Sequence, residues 1–290
     1  MLVRVHAASV NPYDWHMSQA KPFFIRFTGN GFWRPKQLVP GADFAGVVEK
    51  VGPTVTRFKP GDEVFGMGGG SFAEYIAVRE DHAAPKPPNI TFEQAAATPL
   101  AALTALQGLR KGGLDGAAKG RRVLIVPGSG GIGTFAVQLA RHFGAKVDAV
   151  CSPRNVEAAR ALGAHRVFDY TREDFIRSGQ MYDVILDAAS SRSVRRIARV
   201  MAPDGALVVV GGPLRRLAGL LLMSRFSRRN ASTMLTRNSK ADLLLLSELL
   251  EKGEIAPVIE RTYPLEGVPA ALRFVEQGHS QGKHVIVVRR

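Results

Sequence analysis

The sequence predicts an α/β fold in which a doubly wound parallel sheet is joined to a smaller, antiparallel β-barrel. Two observations carry this prediction. Short strands separated by Gly and Pro fill the first third of the chain, and apolar strands alternate with amphipathic helices from residue 122 onward. With 290 residues, the chain is long enough for two domains that each bury their own core.

The first third predicts the barrel. Residues 2–8 alternate between apolar and polar side chains as a strand does, and residues 9–12 (SVNP) are typical of a turn. Further strands are predicted within 40–52, 60–66 and 71–78, each beside Gly or Pro. Gly and Pro at these spacings favour a small, strongly bent antiparallel sheet.

The middle of the chain predicts a Rossmann-type domain. A helical pattern begins after Thr91, which with Gln94 forms the signature of a capping box. Helical patterns then alternate with five apolar strands, and this order predicts a parallel sheet covered on both faces. The strands are expected at 122–126, 146–151, 166–170, 182–190 and 206–212. We expect residues 93–255 to form this domain, and residues 1–92 with 256–290 to form the barrel domain.

A glycine-rich turn lies between the first of these strands and the next helix. Residues 127–138 read PGSGGIGTFAVQ, and Gly128, Gly130 and Gly133 match the spacing G-x-G-x-x-G. The first glycine permits a tight turn, the second lets a pyrophosphate approach the backbone, and the third lets helix and strand pack closely. The free N–H groups of the helix N-terminus attract phosphate. The motif therefore predicts dinucleotide binding by Gly128, Ser129, Gly130, Gly131, Ile132 and Gly133.

The end of the following strand indicates which dinucleotide is bound. Proteins that bind NAD usually place an acidic residue about 20 residues beyond the glycines, but this chain has Ser152, Arg154 and Asn155 there. A guanidinium and a hydroxyl suit the 2′-phosphate of NADP. Asp148 lies in the same strand, too early to reach the ribose. NADP is favoured over NAD, with the alternative that Arg154 is a surface cation and Ser152 a helix cap.

Composition limits the other classes of function. Lys and Arg number 39 against 25 Asp and Glu, a net charge of +14, which allows nucleic acid or an anionic membrane surface as a partner. No helix-turn-helix, zinc-finger or RNP-like pattern accompanies the charge, so a solvated helical face is the favoured interpretation and no nucleic acid is expected. One cysteine excludes a disulfide framework. Because the chain opens without a signal-peptide pattern and its apolar runs are short, we expect a cytoplasmic protein without stable membrane insertion.

Seven stretches of the sequence resemble one known family. These stretches are VHAASVNPYDW (5–15), PGADFAGVVEKVG (40–52), KPGDEVFG (59–66), GSFAEYIAV (70–78), AAATPLAALTALQGL (95–109), GSGGIGTFAVQLAR (128–141) and LGAHRVFDY (162–170). Through them the chain resembles the medium-chain dehydrogenase/reductase superfamily, and within it the zinc-independent quinone oxidoreductase branch with its zeta-crystallin-like and enoyl-reductase-like members. The resemblance implies a GroES-like β-barrel domain, a Rossmann domain, NADP(H) as cofactor and a homodimer. Family members usually carry further residues before the strand that here begins at Leu2, so we expect either a misassigned start, a truncated chain or a barrel that is N-terminally shortened.

The resemblance also indicates where zinc binds in related enzymes. Zinc-dependent relatives carry Gly-His-Glu where this chain has Gly41, Ala42 and Asp43, and they carry a cysteine cluster that this chain lacks. A catalytic zinc needs about three protein ligands. We therefore expect no metal and no zinc.

The turn after the first strand contains the candidate catalytic residues. Asn11, Tyr13 and His16 match the family's substrate-side turn, S-x-N-P-x-D, which ends at Asp14. The Asn11 amide could donate hydrogen bonds to a substrate or cofactor, and Tyr13 or His16 could protonate an enolate. The alternative is structural, because Asn-Pro and Asp also make tight turns.

Four further cofactor contacts are implied by position in the family. Tyr170 is expected to border the adenosine pocket, and Thr104 is expected near the nicotinamide-side phosphates. Gly211 and Gly212 follow a parallel strand at its carboxyl end, where such sheets bind ligands. Each also has a structural alternative. Tyr170 is then only an aromatic residue at the end of a strand, Thr104 only packs within its helix, and Gly211 and Gly212 only form the turn that ends a strand.

The favoured function is therefore an NADPH-dependent oxidoreductase that transfers a hydride to a small-molecule quinone or α,β-unsaturated carbonyl. The alternatives are a non-catalytic NADPH-binding sensor or stress protein, an NADP-dependent enzyme similar to alcohol dehydrogenases, and an RNA-binding protein. The basic stretch 213–240 is predicted to be a helical lid or part of a dimer face, with a membrane-surface helix as the alternative.

Overall fold

The computed structural model divides into two compact units. It describes residues 1–19, 39–116, 118–188, 192–212, 216, 218–220, 230–278 and 280–289. Unit 1 comprises Met1–Leu103 and Asn238–Arg290, and unit 2 comprises Thr104–Arg237.

The described elements run from strand β1 to strand β13. The strands are β1 (Leu2–Val10), β2 (Asp43–Lys50), β3 (Glu63–Met67), β4 (Tyr75–Ala77), β5 (Ala83–Pro85), β6 (Arg122–Val126), β7 (Lys146–Cys151), β8 (Arg166–Asp169), β9 (Tyr182–Asp187), β10 (Met201–Val210), β11 (Asn230–Met234), β12 (Ile259–Pro264) and β13 (Lys283–Val287). The α-helices are α1 (Pro12–Gln19), α2 (Phe92–Ala96), α3 (Pro99–Lys111), α4 (Gly131–His142), α5 (Val156–Ala161), α6 (Val194–Ile197), α7 (Lys240–Glu251) and α8 (Val268–Glu276).

Unit 1 is built on a bent sheet in which β1 is the central strand. The described strands follow the order β12-β13-β1-β2-β3-β5, and β4 also pairs with β1. All pairs are antiparallel except the parallel pair of β12 and β13. The inner face buries an apolar core that includes Val5, Phe44, Val64 and Ile286. The predicted antiparallel GroES-like sheet is confirmed.

The segment 9–12 is more regular than the turn predicted from its sequence. Strand β1 continues to Val10, and α1 begins at Pro12 with Asn11 between them. Proline suits the first position of a helix because its missing N–H would have no partner there and its φ already fits. The Asn-Pro pair therefore starts a helix directly after a strand.

Hydrogen bonds between distant segments place α7 in unit 1. The Asn89 side chain donates to the carbonyl oxygen of Leu250 at 3.1 Å, and Ser247 Oγ donates to the carbonyl oxygen of Pro85 at 2.8 Å. Helix α2, with the predicted capping box of Thr91 and Gln94 present, also lies in unit 1. The units consequently change at residues 103/104 and 237/238, whereas the domain boundaries predicted from the sequence lie at 92/93 and 255/256.

Unit 2 contains a parallel sheet in the order β11-β10-β9-β6-β7-β8. Every neighbouring pair is parallel, and the central strands bury residues such as Leu124, Ile185 and Leu207 completely. The order reverses between β6 and β9, which creates the switch point where such sheets bind ligands. The predicted doubly wound Rossmann sheet is confirmed.

Strand β11 is an element that the sequence pattern did not reveal. Its residues are mostly small and polar, and it forms by pairing in parallel with β10, with Ala206 opposite Asn230 and Val210 opposite Met234. It lies within the basic stretch 213–240 that was predicted to be a lid or a dimer face. Residues 213–215, 217 and 221–229 of that stretch lie outside the described residues.

No helix in the described part of the chain is long and apolar enough to cross a membrane.

Candidate functional site

The glycine-rich turn connects β6 to α4 in unit 2, as the motif requires. Gly128 donates its backbone N–H to the carbonyl oxygen of Val150 at 2.9 Å, which holds the turn against the end of β7. Gly130 precedes the first residue of α4, so the helix N-terminus opens directly from the turn. Ser129, Gly130, Gly131 and Ile132 are all partly exposed there. Their backbone N–H groups and the helix dipole form a site suited to a pyrophosphate.

Two of the three motif glycines are required by close contacts inside the protein. A Cβ at Gly128 would lie 2.6 Å from the Cβ of Ala149, and a Cβ at Gly133 would overlap the carbonyl oxygen of Pro127. A Cβ at Gly130 would meet nothing closer than Pro127 Cγ at 3.7 Å. Gly130 therefore has room for a side chain on the protein side, and as a glycine it leaves the backbone open to a ligand.

The residues after β7 form a polar cluster with a defined donor pattern. The Asn155 side-chain Nδ2 donates to Ser129 Oγ and to Ser152 Oγ, both at 3.0 Å, and Asn155 is only 5% exposed. Each serine oxygen accepts a hydrogen bond from the amide, and neither hydroxyl proton has an acceptor among the described residues. Two O–H donors are thus directed away from one buried amide, and the exposed Arg154 lies beside them in the chain.

Asp148 is engaged inside unit 2 and is not placed at the end of β7. Its carboxylate Oδ2 accepts a hydrogen bond from the buried Tyr182 hydroxyl at 2.9 Å, and Asp148 is 3% exposed. Burial, the Asp148 charge and this hydrogen bond raise the pKa of Tyr182, so the phenol keeps its proton. The carboxylate is therefore occupied as an internal acceptor.

The other predicted cofactor residues are distributed around unit 2. Tyr170 follows β8, is 56% exposed, and donates its backbone N–H to the carbonyl oxygen of Cys151 at 3.2 Å, which places it beside the end of β7. Thr104 is buried, with its Oγ1 2.6 Å from Thr236 Oγ1. Gly211 and Gly212 follow β10 with φ of +66° and +112°, a backbone conformation that favours glycine.

An ion pair at the switch point was not anticipated from the sequence. Asp187 ends β9 fully buried and accepts a hydrogen bond from Arg216, which is also buried. Burial lowers the pKa of Arg216, although a guanidinium stays charged in proteins. The sequence feature that could have indicated Asp187 is its position as an acidic residue at the carboxyl end of an otherwise apolar strand.

The three candidate catalytic residues lie together at the start of α1 in unit 1, with different surroundings. Asn11 is 4% exposed, and its amide Nδ2 donates to Asp43 Oδ2 at 2.9 Å and to the Ser9 carbonyl oxygen at 3.2 Å. Tyr13 is 47% exposed. Burial of the remainder of its ring and the neighbouring Asp14 raise its pKa. His16 stacks on Trp15 with ring centroids 3.7 Å apart.

Asp43 and Lys283 form a buried ion pair beside Asn11. Asp43 Oδ1 accepts from the backbone N–H of Leu100 at 2.9 Å, and Oδ2 accepts from Ser9 Oγ at 2.7 Å and lies 3.7 Å from Lys283 Nζ. Burial raises the pKa of Asp43, and the Lys283 charge and these hydrogen bonds oppose the rise. Burial lowers the pKa of Lys283, and Asp43 and Asp14 oppose that fall.

These surroundings do not fit a zinc ion. Among the described residues the Asp43 carboxylate is paired with the Lys283 ammonium, and it accepts hydrogen bonds from Ser9, the Asn11 amide and the Leu100 backbone N–H, so a positive charge and three donors already satisfy its oxygens. Across the described ranges, no group of three or more His, Cys, Asp or Glu side chains is arranged to hold a metal ion.

Two family models match parts of the chain, and known proteins match nearly all of it. Residues 1–88 match the alcohol dehydrogenase GroES-like domain, and residues 162–286 match the zinc-binding dehydrogenase domain. The chain is 36% identical to the tomato (Solanum lycopersicum) 2-methylene-furan-3-one reductase, over 99% of this chain and 71% of that protein. It is 35% identical to the chloroplastic NADPH-dependent alkenal/one oxidoreductase of Arabidopsis thaliana, with the same coverage.

A solved structure agrees with the architecture of the chain. The quinone oxidoreductase of Coxiella burnetii matches with a TM-score of 0.89 and 30% identity, over 100% of this chain and 90% of that one. The Rossmann sheet, the GroES-like sheet and these full-length similarities give one conclusion: the chain belongs to the medium-chain dehydrogenase/reductase superfamily, among relatives that include quinone oxidoreductases and alkenal/one oxidoreductases.

Proposed function

We propose that the protein is a zinc-independent, NADPH-dependent oxidoreductase that transfers a hydride to a quinone or an α,β-unsaturated carbonyl. The observation that carries the proposal is the glycine turn of unit 2, with the hydroxyls of Ser129 and Ser152 both bonded to Asn155. It is supported by the similarity to an NADPH-dependent alkenal/one oxidoreductase over 99% of the chain.

The residues of unit 2 suit NADPH more than NADH. The turn from Gly128 to Gly133 would hold the pyrophosphate on backbone N–H groups at the start of α4. Ser152 and Arg154 would hold the 2′-phosphate, because a hydroxyl proton and a guanidinium are its natural partners and no carboxylate stands there to repel it. Tyr170, exposed after β8, would border the adenosine. NADPH bound there would supply a hydride.

The proposed acceptors are electrophiles that delocalise charge themselves. The donors around Asp43 do not suit a zinc ion, and a simple carbonyl needs a Lewis acid or a strong hydrogen-bond donor to accept a hydride readily. In an enone or a quinone, conjugation spreads the added charge onto oxygen. For an enone the balance is one hydride to the β-carbon and one proton to the α-carbon, which yields the saturated carbonyl and NADP⁺.

We assign the proton to Tyr13, with His16 as the second candidate. The Tyr13 phenol is half exposed, and its raised pKa keeps it protonated near neutral pH. Its O–H bond would break as the proton passes to the enolate, and water would return a proton to the phenolate. Asn11 has donated its amide N–H groups to Asp43 and to the Ser9 carbonyl, so it suits a structural role at this turn better than a substrate contact.

The experiment that tests this proposal is steady-state NADPH oxidation with three acceptors: a quinone, an enone and a saturated ketone. We expect turnover of the first two and little of the third, unchanged by a strong chelator. Turnover of the saturated ketone that the chelator abolishes would favour a zinc-dependent alcohol dehydrogenase. Binding of NADPH without oxidation by any acceptor would favour a non-catalytic sensor.

Location and assembly are proposed from the sequence alone. We propose a cytoplasmic protein, although the Arabidopsis relative is named chloroplastic, and we propose a homodimer. Cell fractionation tests the first proposal, and sedimentation equilibrium of the purified chain tests the second. A protein that sediments as a monomer, or one that fractionates with an organelle, would contradict the respective proposal.

A further inference from the structure

Unit 1 contains a group of polar and charged side chains that are buried together. The group, which we call the Lys283 cluster, consists of Lys283, Asp43, Asn11 and Asp14, and none of the four is more than 4% exposed. Buried charges cost more in desolvation than their attraction usually returns, and apolar residues of the same size often stabilise a fold better. The cluster therefore needs an explanation other than stability.

Lys283 determines the orientation of the Asn11 side chain. The Lys283 ammonium on β13 donates to Asn11 Oδ1, and it lies 3.5 Å from the carbonyl oxygen of Val10. The opposite end of the same amide donates to Asp43 at 2.9 Å. A flipped amide would turn its N–H₂ group toward the ammonium and its oxygen toward the carboxylate. The ion pair thus admits one orientation of Asn11.

Asn11 in turn holds the first turn of α1. Its backbone N–H donates to Asp14 Oδ2 at 2.7 Å, and the Asp14 backbone N–H donates to the Asn11 carbonyl oxygen at 3.0 Å. Asp14 is the one buried residue among the eight of this helix, and Trp15 is partly buried against the barrel core. The position of the turn consequently depends on these polar contacts, and Tyr13 lies in that turn with its phenol half exposed.

We propose that Lys283 is a positioning residue: through Asn11 and Asp14 it holds the first turn of α1, and so the Tyr13 phenol, where the substrate takes its proton. This inference rests on the proposed function. It predicts that substitution of Lys283 lowers turnover by an amount that depends on the substrate class. An enolate needs a proton delivered during turnover, whereas the reduced quinone takes its proton on oxygen, which exchanges readily with water. Loss of the Lys283 contact should therefore reduce enone turnover far more than quinone turnover.

The test compares Lys283→Met with Tyr13→Phe and with the double variant. Tyr13→Phe should lower kcat for the enone about 100-fold, and Lys283→Met about tenfold. Because both substitutions interrupt the same proton delivery, the double variant should lose no more than Tyr13→Phe alone. Quinone kcat should change by less than about threefold in each variant, and the Kd for NADPH should not change.

Lys86→Met is the matched control. Lys86 is another lysine of unit 1, whose side chain is 5% exposed, with its Nζ bonded to the carbonyl oxygens of Pro87 and Ile90 and 3.0 Å from Glu63. A general effect of removing a buried lysine would appear in both variants and with both substrates. If Lys283→Met fails to fold, Lys283→Met combined with Asp43→Asn removes both charges and is expected to show the same selective loss of enone turnover.

Three results would overturn the inference. The first is a loss of kcat in Lys283→Met that is equal for the enone and the quinone. The second is an enone kcat of the double variant that falls by the product of the two single losses. The third is an unchanged enone kcat in Tyr13→Phe. Each of these leaves the reductase proposal intact, because the wild-type protein turns over in every case. A wild-type protein that oxidises NADPH with neither acceptor would overturn the proposed function and the inference together.

Discussion

Asn155 bonds two serine hydroxyls through one amide, and this arrangement makes the cofactor preference testable at single residues. Ser152→Ala removes an O–H donor that we assign to the 2′-phosphate, and a hydrogen bond to a charged group contributes about 2 kcal/mol. We expect the Kd for NADPH to rise about tenfold or more, because 1.4 kcal/mol is a factor of ten. Asn155→Leu should weaken NADPH binding in the same direction by releasing both hydroxyls.

NADH is the internal control for both variants, since it has no 2′-phosphate. Fluorescence titration of the wild type and the two variants with each dinucleotide gives the comparison. If Ser152→Ala weakens NADPH and NADH equally, the hydroxyl supports the turn in general and the assignment to the 2′-phosphate is wrong.

Asp14 gives stability a defined dependence on pH. Burial, together with the charge of Asp43, raises the pKa of Asp14 from 3.8 to about 7. The folded state therefore binds a proton that the unfolded state releases. The contribution of this proton to the free energy of unfolding is fully present below pH 3.8. It falls by about 1.4 kcal/mol per pH unit until the pH passes about 7.

Chemical denaturation at several pH values between roughly 5 and 8 measures this contribution. The wild type should lose free energy of unfolding as the pH rises to about 7, and Asp14→Asn should show a flatter profile over the same range. The difference between the two proteins isolates Asp14 from the partly buried His6 and the buried His284, whose lowered pKa values act in the opposite direction. Parallel profiles would contradict the assignment.

Individual site residues differ in how far the sequence alone reveals them. Ser152 and Arg154 follow from their place at the end of a strand, since the glycine motif sets the distance. Lys283 does not, because its partners Asn11 and Asp43 lie more than 200 residues earlier and only the sheet brings the three strands together. The sequence does contain one indication of a partner for Asp43. This residue begins a buried apolar strand, and a buried carboxylate requires a cation or several hydrogen-bond donors.

At the scale of elements, the turn between β6 and α4 contains two glycines that close packing requires and a third, Gly130, that we propose serves cofactor binding. Gly133→Ala should destabilise the protein by about 2 kcal/mol, because its Cβ would overlap the carbonyl oxygen of Pro127, directly after β6. Gly130→Ala meets no such contact and has a φ of −81°, so it should fold normally and lose dinucleotide affinity.

Thermal unfolding and NADPH titration of both variants complete this comparison. Gly130→Ala is the matched control for Gly133→Ala, because the two positions are three residues apart and receive the same methyl group. A Gly130→Ala protein that binds NADPH as tightly as the wild type would show that the cofactor does not approach this part of the backbone.

The strands and helices that the sequence predicted well are those with a strong apolar period. The five parallel strands from β6 to β10 have this pattern because both faces of their sheet are covered. Strand β11 has no such period, since it is small and polar and forms by pairing with β10. Helix α1 was missed because its only buried residue is Asp14 and Trp15 is only partly buried against the core, so no apolar period marks it.

At the scale of the whole molecule, the order of the domains is readable from the sequence, whereas the division into two units depends on contacts between distant segments. Alternating strands and helices identify the Rossmann sheet, and Gly-Pro punctuation identifies the GroES-like sheet. The assignment of α7 to unit 1 depends on hydrogen bonds from Asn89 and Ser247 that join segments about 160 residues apart. No local pattern encodes such contacts. The similarity to quinone and alkenal/one oxidoreductases likewise extends over nearly the whole chain and does not rest on one motif.

The most direct test of the account is the fate of the hydride. The purified protein is mixed with an enone and with NADPH that carries deuterium at the transferred position of C4, and the product is analysed by NMR. We predict a saturated carbonyl with one deuterium at the β-carbon and a solvent proton at the α-carbon. Deuterium on the carbonyl carbon of an allylic alcohol, or no deuterated product at all, would contradict the proposed reductase.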